Sequence, residues 1–278
     1  MFYHQTDNSL GGELYNAYIY RGLTWNAHLH KGFELTIVLR GELNAEVDDK
    51  NYVVREGEAL LITPFIAHSY RSDHDAVTFV AVFSGSYAED VTRLVSGKVP
   101  ACPVFTPAPE TLGYLEKFMI FPGQEPAARV YPCEKEFAIA AARPDNFSLK
   151  AAIYAACADF LGSATLIPGS KNYSLFRDML DYIESNYTED ITLTGMADAL
   201  GYDYRYLSRL FGKNFSAGFK TLVNQYRVDR AVALIRSTTL SLSEIALACG
   251  FQSIRSFNRA FGEITGFAPN DLRKRGKD

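Results

Sequence analysis

The stretch MADALGYDYRYLSRLFG at residues 196–212 recurs, with one extra residue, as IALACGFQSIRSFNRAFG at residues 245–262. Each copy has the pattern of a short helix, a glycine followed by an aromatic residue, and a second helix. The two glycines are Gly201 and Gly250. Glycine suits the end of a helix because it adopts positive φ without steric cost. The repeat therefore predicts two helix-turn-helix units.

The second helix of each unit has an apolar face and an arginine-rich polar face. On the polar face, two arginines stand four residues apart and flank a small polar residue, and this arrangement appears in both units. Arginine pairs bidentately with guanine edges and asparagine with adenine, so the repetition favours DNA reading over an ordinary solvated face. The candidate DNA-binding residues are Arg205, Ser208, Arg209, Arg255, Asn258 and Arg259. The candidate phosphate contacts, which would position rather than specify, are Lys213, Lys220, Arg227 and Lys274.

The segment between the two units, residues 219–236, is predicted to be one amphipathic helix. At 1.5 Å per residue it would span about 27 Å, which is near the roughly 34 Å repeat of B-DNA. Such a helix could place the two recognition helices in successive major grooves. Ser241, followed by Glu244 three residues later, predicts a capping box at the start of the second unit, and Thr192 is the expected cap of the first.

The charge of the chain is unevenly distributed. The 278 residues carry a net charge of −4, but residues 1–170 hold 13 Lys and Arg against 20 Asp and Glu. Residues 171–278 therefore have a positive excess, which indicates two domains with different partners. The four cysteines lie far apart, the N-terminus lacks a signal-peptide pattern, and no apolar run is long enough for a membrane helix. These features indicate a cytoplasmic protein with reduced thiols.

The first half of the chain has a different pattern of polar and apolar residues. Residues 10–85 alternate polar and apolar side chains with frequent turn signals, which is typical of short antiparallel strands in a barrel or sandwich. Residues 149–161 have apolar residues at helical spacing, and their small residues would permit close packing against the barrel or against a second copy of the chain. Residues 163–171 have the composition of a linker.

Three histidines and one carboxylate stand out within this first half. His28 and His30 are two residues apart and so share a strand face, and Glu34 has the same parity. Three imidazoles and a carboxylate suit a divalent first-row metal, although the same side chains could line a ligand pocket without metal. Parity also places Asn26 on this face and Trp25 on the other. The candidate ligand-binding residues are Asn26, His28, His30, Glu34 and His68, and the candidate metal ligands are His28, His30, Glu34 and His68.

Residues 174–275 resemble the DNA-binding domain of the AraC/XylS transcription regulators. The stretch GFQSIRSFNRAFGEITGFAPNDLRKR at residues 250–275 carries the Gly-Phe, Phe-x-Arg-x-Phe, Gly and Pro of the family at the expected intervals. The resemblance implies two helix-turn-helices joined by a long helix, with base contacts from the outward positions named above. The chain departs from the pattern at Gly262, where a basic residue is usual, and at Leu272, where an aromatic residue is usual.

Residues 12–83 resemble the cupin fold. The first cupin motif matches throughout, including both glycines, the two histidines and the glutamate. The second motif matches less well, because Ile66 stands where a glycine is usual and Ser72 where an asparagine is usual. The resemblance implies a small β-barrel that holds a metal or a small molecule, which is the sensor domain of many AraC-family proteins.

Together these features predict an α+β protein of two domains. An N-terminal cupin-type antiparallel β-barrel is followed by an all-α domain with two helix-turn-helix motifs joined by a long helix. The expected boundaries are 1–100 for the ligand-sensing barrel, 101–170 for a helical dimerisation or linker region, and 171–278 for the DNA-binding domain. The expected protein is a bacterial, cytoplasmic transcription regulator without enzymatic activity or membrane contact. Its expected partners are promoter DNA, a small-molecule effector such as a sugar or related metabolite, and a second copy of the chain.

Two alternatives remain open from the sequence. In one, the barrel is a metal-dependent enzyme, such as a dioxygenase or isomerase, fused to a DNA-binding domain. In the other, the protein binds DNA constitutively and the barrel serves only to dimerise. The sequence names neither the effector nor the operator, nor the direction of regulation.

Overall fold

The computed structural model describes residues 3–4, 14–115, 139–140, 146–169, 171–215 and 218–275, and the chain divides into two units, Gly12–Tyr173 and Ser174–Asp278. Among the described residues, no helix is long and apolar enough to cross a membrane. The strands are β1 (Tyr3–His4), β2 (Leu14–Arg21), β3 (Thr24–Leu29), β4 (Phe33–Arg40), β5 (Glu42–Val47), β6 (Lys50–Arg55), β7 (Ala59–Ile62), β8 (His68–Ser72), β9 (Val77–Phe83), β10 (Lys98–Pro100), β11 (Val104–Phe105), β12 (Ile139–Ala140) and β13 (Leu166–Pro168). The helices are α1 (Glu89–Val95), α2 (Pro109–Leu115), α3 (Asn146–Ser163), α4 (Lys171–Asn186), α5 (Leu193–Leu200), α6 (Tyr204–Asn214), α7 (Phe219–Ser237), α8 (Leu242–Ala248), α9 (Ile254–Thr265) and α10 (Pro269–Arg275).

The N-terminal unit is built from two antiparallel sheets. One has the strand order β11-β7-β4-β9-β2-β12, and the other contains β3-β8-β5-β6 in that order. This arrangement confirms the predicted antiparallel β fold of the first half. Successive residues of a strand point to opposite faces. In β4, Phe33, Leu35 and Ile37 therefore share one face, while Glu34 and Thr36 lie on the other.

The apolar face of β4 packs against α3. Phe33, Leu35 and Ile37 belong to one buried cluster with Ile153 and Phe160 of this helix. The helix predicted over 149–161 is confirmed and is longer at both ends. Of its small residues, Ala152 is buried within this cluster, whereas Ala151 and Ala158 are exposed.

The segment predicted as a linker, residues 163–171, contains a strand instead. Residues Leu166–Pro168 form β13 and pair with β10, and Leu166 packs against the core of the N-terminal unit. The prediction was wrong for residues 166–168, because it rested on the four glycine, serine and proline residues of the segment, whereas backbone pairing with β10 decides the conformation.

The C-terminal unit is helical, and its caps explain where its helices begin and end. Gly201 ends α5 in the left-handed conformation, with φ of 72°. The predicted cap at Thr192 is present, because its side chain accepts from the backbone N–H of Gly195 at 3.0 Å. The predicted capping box of Ser241 and Glu244 is also present at the start of α8. Each such cap satisfies a backbone donor that the helix leaves unpaired.

The long helix α7 contributes to the core of the second helix-turn-helix unit. Its residues Val228 and Ala231 are fully buried in one cluster with Ile245 of α8 and with Phe257 and Phe261 of α9. Helices α5 to α9 thus follow the predicted order of helix, turn, helix, connecting helix, and a second helix-turn-helix.

Candidate functional site

The four predicted metal ligands come together inside the N-terminal unit. His28 lies on β3, Glu34 on β4 and His68 on β8, while His30 lies just after β3. Each residue is at most 3% exposed. One ligand atom from each residue lies within 4.8 Å of the others. The spacing in the sequence therefore identified a real three-dimensional cluster.

Backbone hydrogen bonds fix the orientation of all three imidazoles. The Nδ1 atoms of His28, His30 and His68 lie 3.0, 2.9 and 2.8 Å from the carbonyl oxygens of Asn26, Gly32 and Ile66, respectively. A carbonyl oxygen only accepts, so Nδ1 must carry the hydrogen in each ring. In a neutral imidazole this leaves a lone pair on Nε2, the atom that binds a metal.

The Glu34 carboxylate lies among these Nε2 atoms. Its Oε2 atom is 3.2 Å from Nε2 of His30 and 3.7 Å from Nε2 of His68. Burial alone would raise the pKa of Glu34, but hydrogen bonds from Nε2–H of His30 and His68, which form when these rings carry a second proton, hold it well below its usual range. Burial, reinforced by the neighbouring His68, lowers the pKa of His28 well below its usual value. Glu34 is thus an anion, and His28 is a neutral ring.

The donor set fits a divalent transition metal. Two ligands held at about 2.0–2.2 Å from one Zn²⁺ ion lie roughly 3.0–3.6 Å apart, close to the separations of Glu34 from the two imidazoles. Nε2 of His68 is buried and has no hydrogen-bond partner among the residues that the structure describes. A lone pair facing a carboxylate is repulsive unless a proton or a cation lies between them. His28, His30, Glu34 and His68 could therefore hold a metal through three nitrogens and one oxygen.

Two further polar side chains, Tyr70 and Thr78, are buried in this unit. Within the described part of the chain, the Tyr70 hydroxyl lies close to the side chains of Glu34 and Thr36, and the Thr78 hydroxyl has no hydrogen-bond partner. The Tyr70 ring lies 5.4 Å from that of His68 between centroids. Burial, reinforced by the charge of Glu34, raises the pKa of Tyr70 well above its usual value. A buried, protonated hydroxyl beside the cluster can donate to a small bound molecule.

The parity prediction for β3 was wrong. Trp25 pairs with Tyr70 and His28 pairs with His68, so three steps on β3 oppose two steps on β8, and the register shifts between them. Such a bulge reverses the alternation of side chains. Trp25 therefore lies near the cluster, with its ring 6.0 Å from that of His28, while the Asn26 side chain is exposed. What Asn26 contributes to the cluster is its backbone carbonyl.

The recognition helices present the predicted polar face to solvent. In α6, Leu207 and Phe211 are buried, and in α9, Phe257 and Phe261 are buried. The predicted DNA-binding residues lie opposite: Arg205, Arg209, Lys213, Arg255, Asn258 and Arg259 are exposed, and Ser208 is partly exposed. The candidate phosphate contacts Lys220 and Lys274 are also exposed.

The first residue of each recognition helix was missed by the sequence reasoning. Tyr204 and Ile254 are 46% and 41% exposed, and each directly follows the residue that caps its helix. The first residues of a recognition helix commonly meet base edges. The signal was available in the repeat itself, since both positions carry a large apolar side chain immediately before an arginine.

One candidate phosphate contact, Arg227, also binds within the protein. Arg227 donates through Nε to the carbonyl of Tyr187 at 2.6 Å and through Nη2 to the carbonyl of Glu189 at 2.8 Å. These contacts use two of the five guanidinium N–H donors and fix the side chain against residues 187–189. A sequence gives no indication that a distant loop supplies two carbonyls.

Known proteins share both halves of this architecture. Residues 196–275 match a helix-turn-helix domain family, and residues 11–129 match the AraC-like ligand binding domain family. The HTH-type transcriptional regulator YijO of Escherichia coli is 33% identical over 124 residues, which cover 45% of this chain and 44% of the relative. The match thus spans less than half of that relative. YfiF of Bacillus subtilis, another HTH-type transcriptional regulator, is 26% identical over 260 residues, covering 90% of this chain and 79% of the relative.

Among solved structures, an apo form of a ToxT variant from Vibrio cholerae is similar along nearly its whole length. The TM-score is 0.50 at 12% identity, covering 95% of this chain and 98% of that chain. At this identity the likeness supports the fold: an antiparallel β domain followed by a helical domain.

Proposed function

The chain carries an AraC-like ligand-binding domain and a helix-turn-helix domain and so belongs among the AraC-type transcriptional regulators, and from this premise we propose how it reads DNA and what it senses. Helices α6 and α9 enter major grooves of a promoter. The N-terminal unit binds a small molecule at or beside the histidine cluster.

The observation that carries the DNA-binding proposal is the equivalence of the two recognition helices. Arg205 and Arg209 on α6 occupy the same positions as Arg255 and Arg259 on α9, and all four are exposed. The 19 residues of α7 separate them. At 1.5 Å per residue this helix spans about 28 Å, which suits recognition helices that occupy neighbouring turns of a duplex.

This proposal can be tested by letting the full-length protein select the duplexes that it binds from a random DNA library. The expected result is one preferred site with two short conserved blocks about 10 base pairs apart. Arg209→Ala and Arg259→Ala should each weaken binding to that site. Arg93→Ala, which removes an exposed arginine of the N-terminal unit, is the control and should have no effect. Recovery of no preferred sequence by the wild-type protein would overturn the proposal.

For the N-terminal unit, we propose a metal held by His28, His30, Glu34 and His68. When bound, a divalent first-row metal would act as a Lewis acid that attracts the oxygen atoms of a ligand. The protein's own contribution is orientation: backbone carbonyls bind Nδ1 of each imidazole, and Nε2 of His30 and His68 lies towards Glu34. The buried Tyr70 hydroxyl beside the cluster offers a polar contact for an oxygen-rich molecule such as a sugar or a related metabolite.

Elemental analysis of the purified full-length protein tests the metal. The expected result is close to one equivalent of a transition metal in the wild-type protein and almost none in His30→Ala. His74→Ala is a matched control, because His74 is an exposed histidine of the same unit. If neither the wild-type protein nor protein incubated with iron, zinc, manganese and nickel holds metal, the cluster is a metal-free ligand pocket.

We also propose that the protein acts as a homodimer. The exposed Ala151 and Ala158 of α3 offer a surface that permits close helix packing. Sedimentation velocity of the wild-type protein and of Ala158→Glu tests this assignment. A wild-type protein that sediments as a monomer at micromolar concentration would contradict it.

A further inference from the structure

A loop of the first half of the DNA-binding unit packs directly on the turn of its second helix-turn-helix. The loop comprises residues 187–190, between α4 and α5. Gly250 lies at the turn with φ of +83°, and a Cβ atom built there would lie 2.5 Å from the Thr188 carbonyl oxygen and 2.6 Å from its Cα atom. Both contacts are shorter than any side chain tolerates, so this backbone approach needs glycine. The two halves therefore meet backbone to backbone at this point.

Arg227 of α7 joins the same two elements from a third direction. Its two donated hydrogen bonds, to the carbonyls of Tyr187 and Glu189, fix both ends of the loop's first turn. Its guanidinium also lies over the Phe251 ring, 5.6 Å from the centroid. Phe251 is 3% exposed, and its ring lies 5.3 Å from that of Phe257 in recognition helix α9. One side chain thus contacts the segment that leads into the first unit and the turn that orients the second.

The ring of Tyr187 strengthens the same junction. It stacks on Tyr226 with a centroid distance of 6.3 Å and an angle of 24° between the rings. Tyr226 is 1% exposed and precedes Arg227 in α7. The loop is thus fixed to α7 by a stacked ring pair and two charge-assisted hydrogen bonds, which are stronger than hydrogen bonds between neutral groups.

We propose that Arg227 is a positioning residue that fixes the distance and rotation between α6 and α9, and so restricts the protein to DNA sites with one spacing between the two blocks. The proposal rests on the proposed DNA-binding function. The second unit is already fixed to α7, because Val228 and Ala231 share one buried core with α8 and α9. The junction of Arg227, the loop 187–190 and Gly250 attaches the segment that leads into the first unit to this same core, and so limits the movement of one unit relative to the other.

The affinity of the protein for a DNA site should depend on whether both helix-turn-helix units can bind at once. Two linked modules that bind DNA at the same time have an affinity about 10²–10⁴-fold higher than either module alone. This gain is lost when the geometry of the site prevents both modules from binding together. A rigid pair should therefore lose about 100-fold or more in affinity when five base pairs, half a turn, are inserted between the blocks of the selected site. If the two units can move relative to each other, the protein should keep part of its affinity for sites in which the distance between the two blocks is altered.

The test measures affinity by fluorescence anisotropy on the selected site and on derivatives with two, five and ten inserted base pairs. Wild-type protein should show the full loss at five base pairs, whereas Arg227→Ala should lose roughly tenfold or less on the same insertion, with weaker binding to the original site. Arg227→Lys keeps the charge but not the two-carbonyl geometry, so its spacing preference should fall between the two. Arg230→Ala is the control, because Arg230 is an exposed arginine of the same helix.

The results distinguish a failure of the proposed role of Arg227 from a failure of the proposed DNA-binding function. If Arg227→Ala binds the original site and all the sites with inserted base pairs more weakly by the same factor, Arg227 contributes only to the stability of the folded domain. The inference is then wrong. Thermal unfolding accompanies each variant, and if Arg227→Ala is unfolded, the same comparison with Arg227→Lys decides. If the wild-type protein selects no site at all, the proposed function fails first, and the spacing series is not reached.

Discussion

Metal binding at the histidine cluster should raise the thermal stability of the protein by a calculable amount. The binding residues are buried and preorganised, so an ion that binds the folded state has no comparable site in the unfolded chain. At a free metal concentration of 100 times the Kd, the stabilisation is about 2.7 kcal/mol. For a domain of 150–250 residues, 1 kcal/mol shifts the Tm by roughly 2–4 °C, so the expected rise is about 5–11 °C.

Differential scanning calorimetry of the full-length protein provides the assay. The protein is first stripped with EDTA and then scanned with and without zinc, manganese, nickel or iron(II). Wild-type protein and His74→Ala should show the same rise in the Tm of the N-terminal unit. His30→Ala should show almost none, because it removes the ring whose Nε2 atom lies 3.2 Å from Glu34. Equal rises in wild-type protein and in His30→Ala would show that the metal binds elsewhere, and the assignment of the cluster would be refuted.

Three further predictions concern specificity, pH and capping. Arg259→Ala should cost about 1–3 kcal/mol of binding to the selected site and relax the preference at one base position, measured by anisotropy on single-base variants; equal loss on all sequences would make it a phosphate contact. The metal-free protein should lose stability as pH falls, because the unfolded state takes up protons first at His28, below about pH 6.5, and then at Glu34, below about pH 4.3. Stability that is unchanged between pH 7 and pH 5 in urea titrations would contradict the lowered pKa of His28. Ser241→Ala should destabilise the C-terminal unit by about 0.5–2 kcal/mol through loss of the capping box, while Ser241→Asp should retain most of the stability.

The sequence predicted the DNA-binding half well because its determinants are local. Helix caps such as Ser241 act within one turn, and the apolar spacing of α6 and α9 sets their buried faces without reference to distant residues. Arg227 was the exception. Its partners, the carbonyls of Tyr187 and Glu189, lie about forty positions away in the chain, and no local pattern distinguishes it from a solvent-exposed arginine.

The four-residue cluster was also predictable, since the spacing of its members fixes their elements. The orientation of β3 was not predictable, because counting residues by parity assumes continuous pairing with the neighbouring strand. The extra residue between Trp25 and His28 depends on how β3 meets β8, which is a relation between distant segments. The burial of Tyr70 beside the cluster likewise depends on strand order.

The bulge that defeats the parity count is also what allows the cluster to form. Within a regular ladder, the carbonyl of a strand residue accepts from a neighbouring strand. The three carbonyls that orient the imidazoles belong to Asn26 in the bulge, Gly32 in the bend before β4, and Ile66 in the turn before β8. Each lies where the backbone leaves the regular ladder, and each accepts a hydrogen bond from Nδ1 of one imidazole. The irregular backbone at these three positions thus also determines the orientation of the three imidazoles. A movement of any of these three segments would reorient an imidazole and so alter the affinity of the proposed metal site.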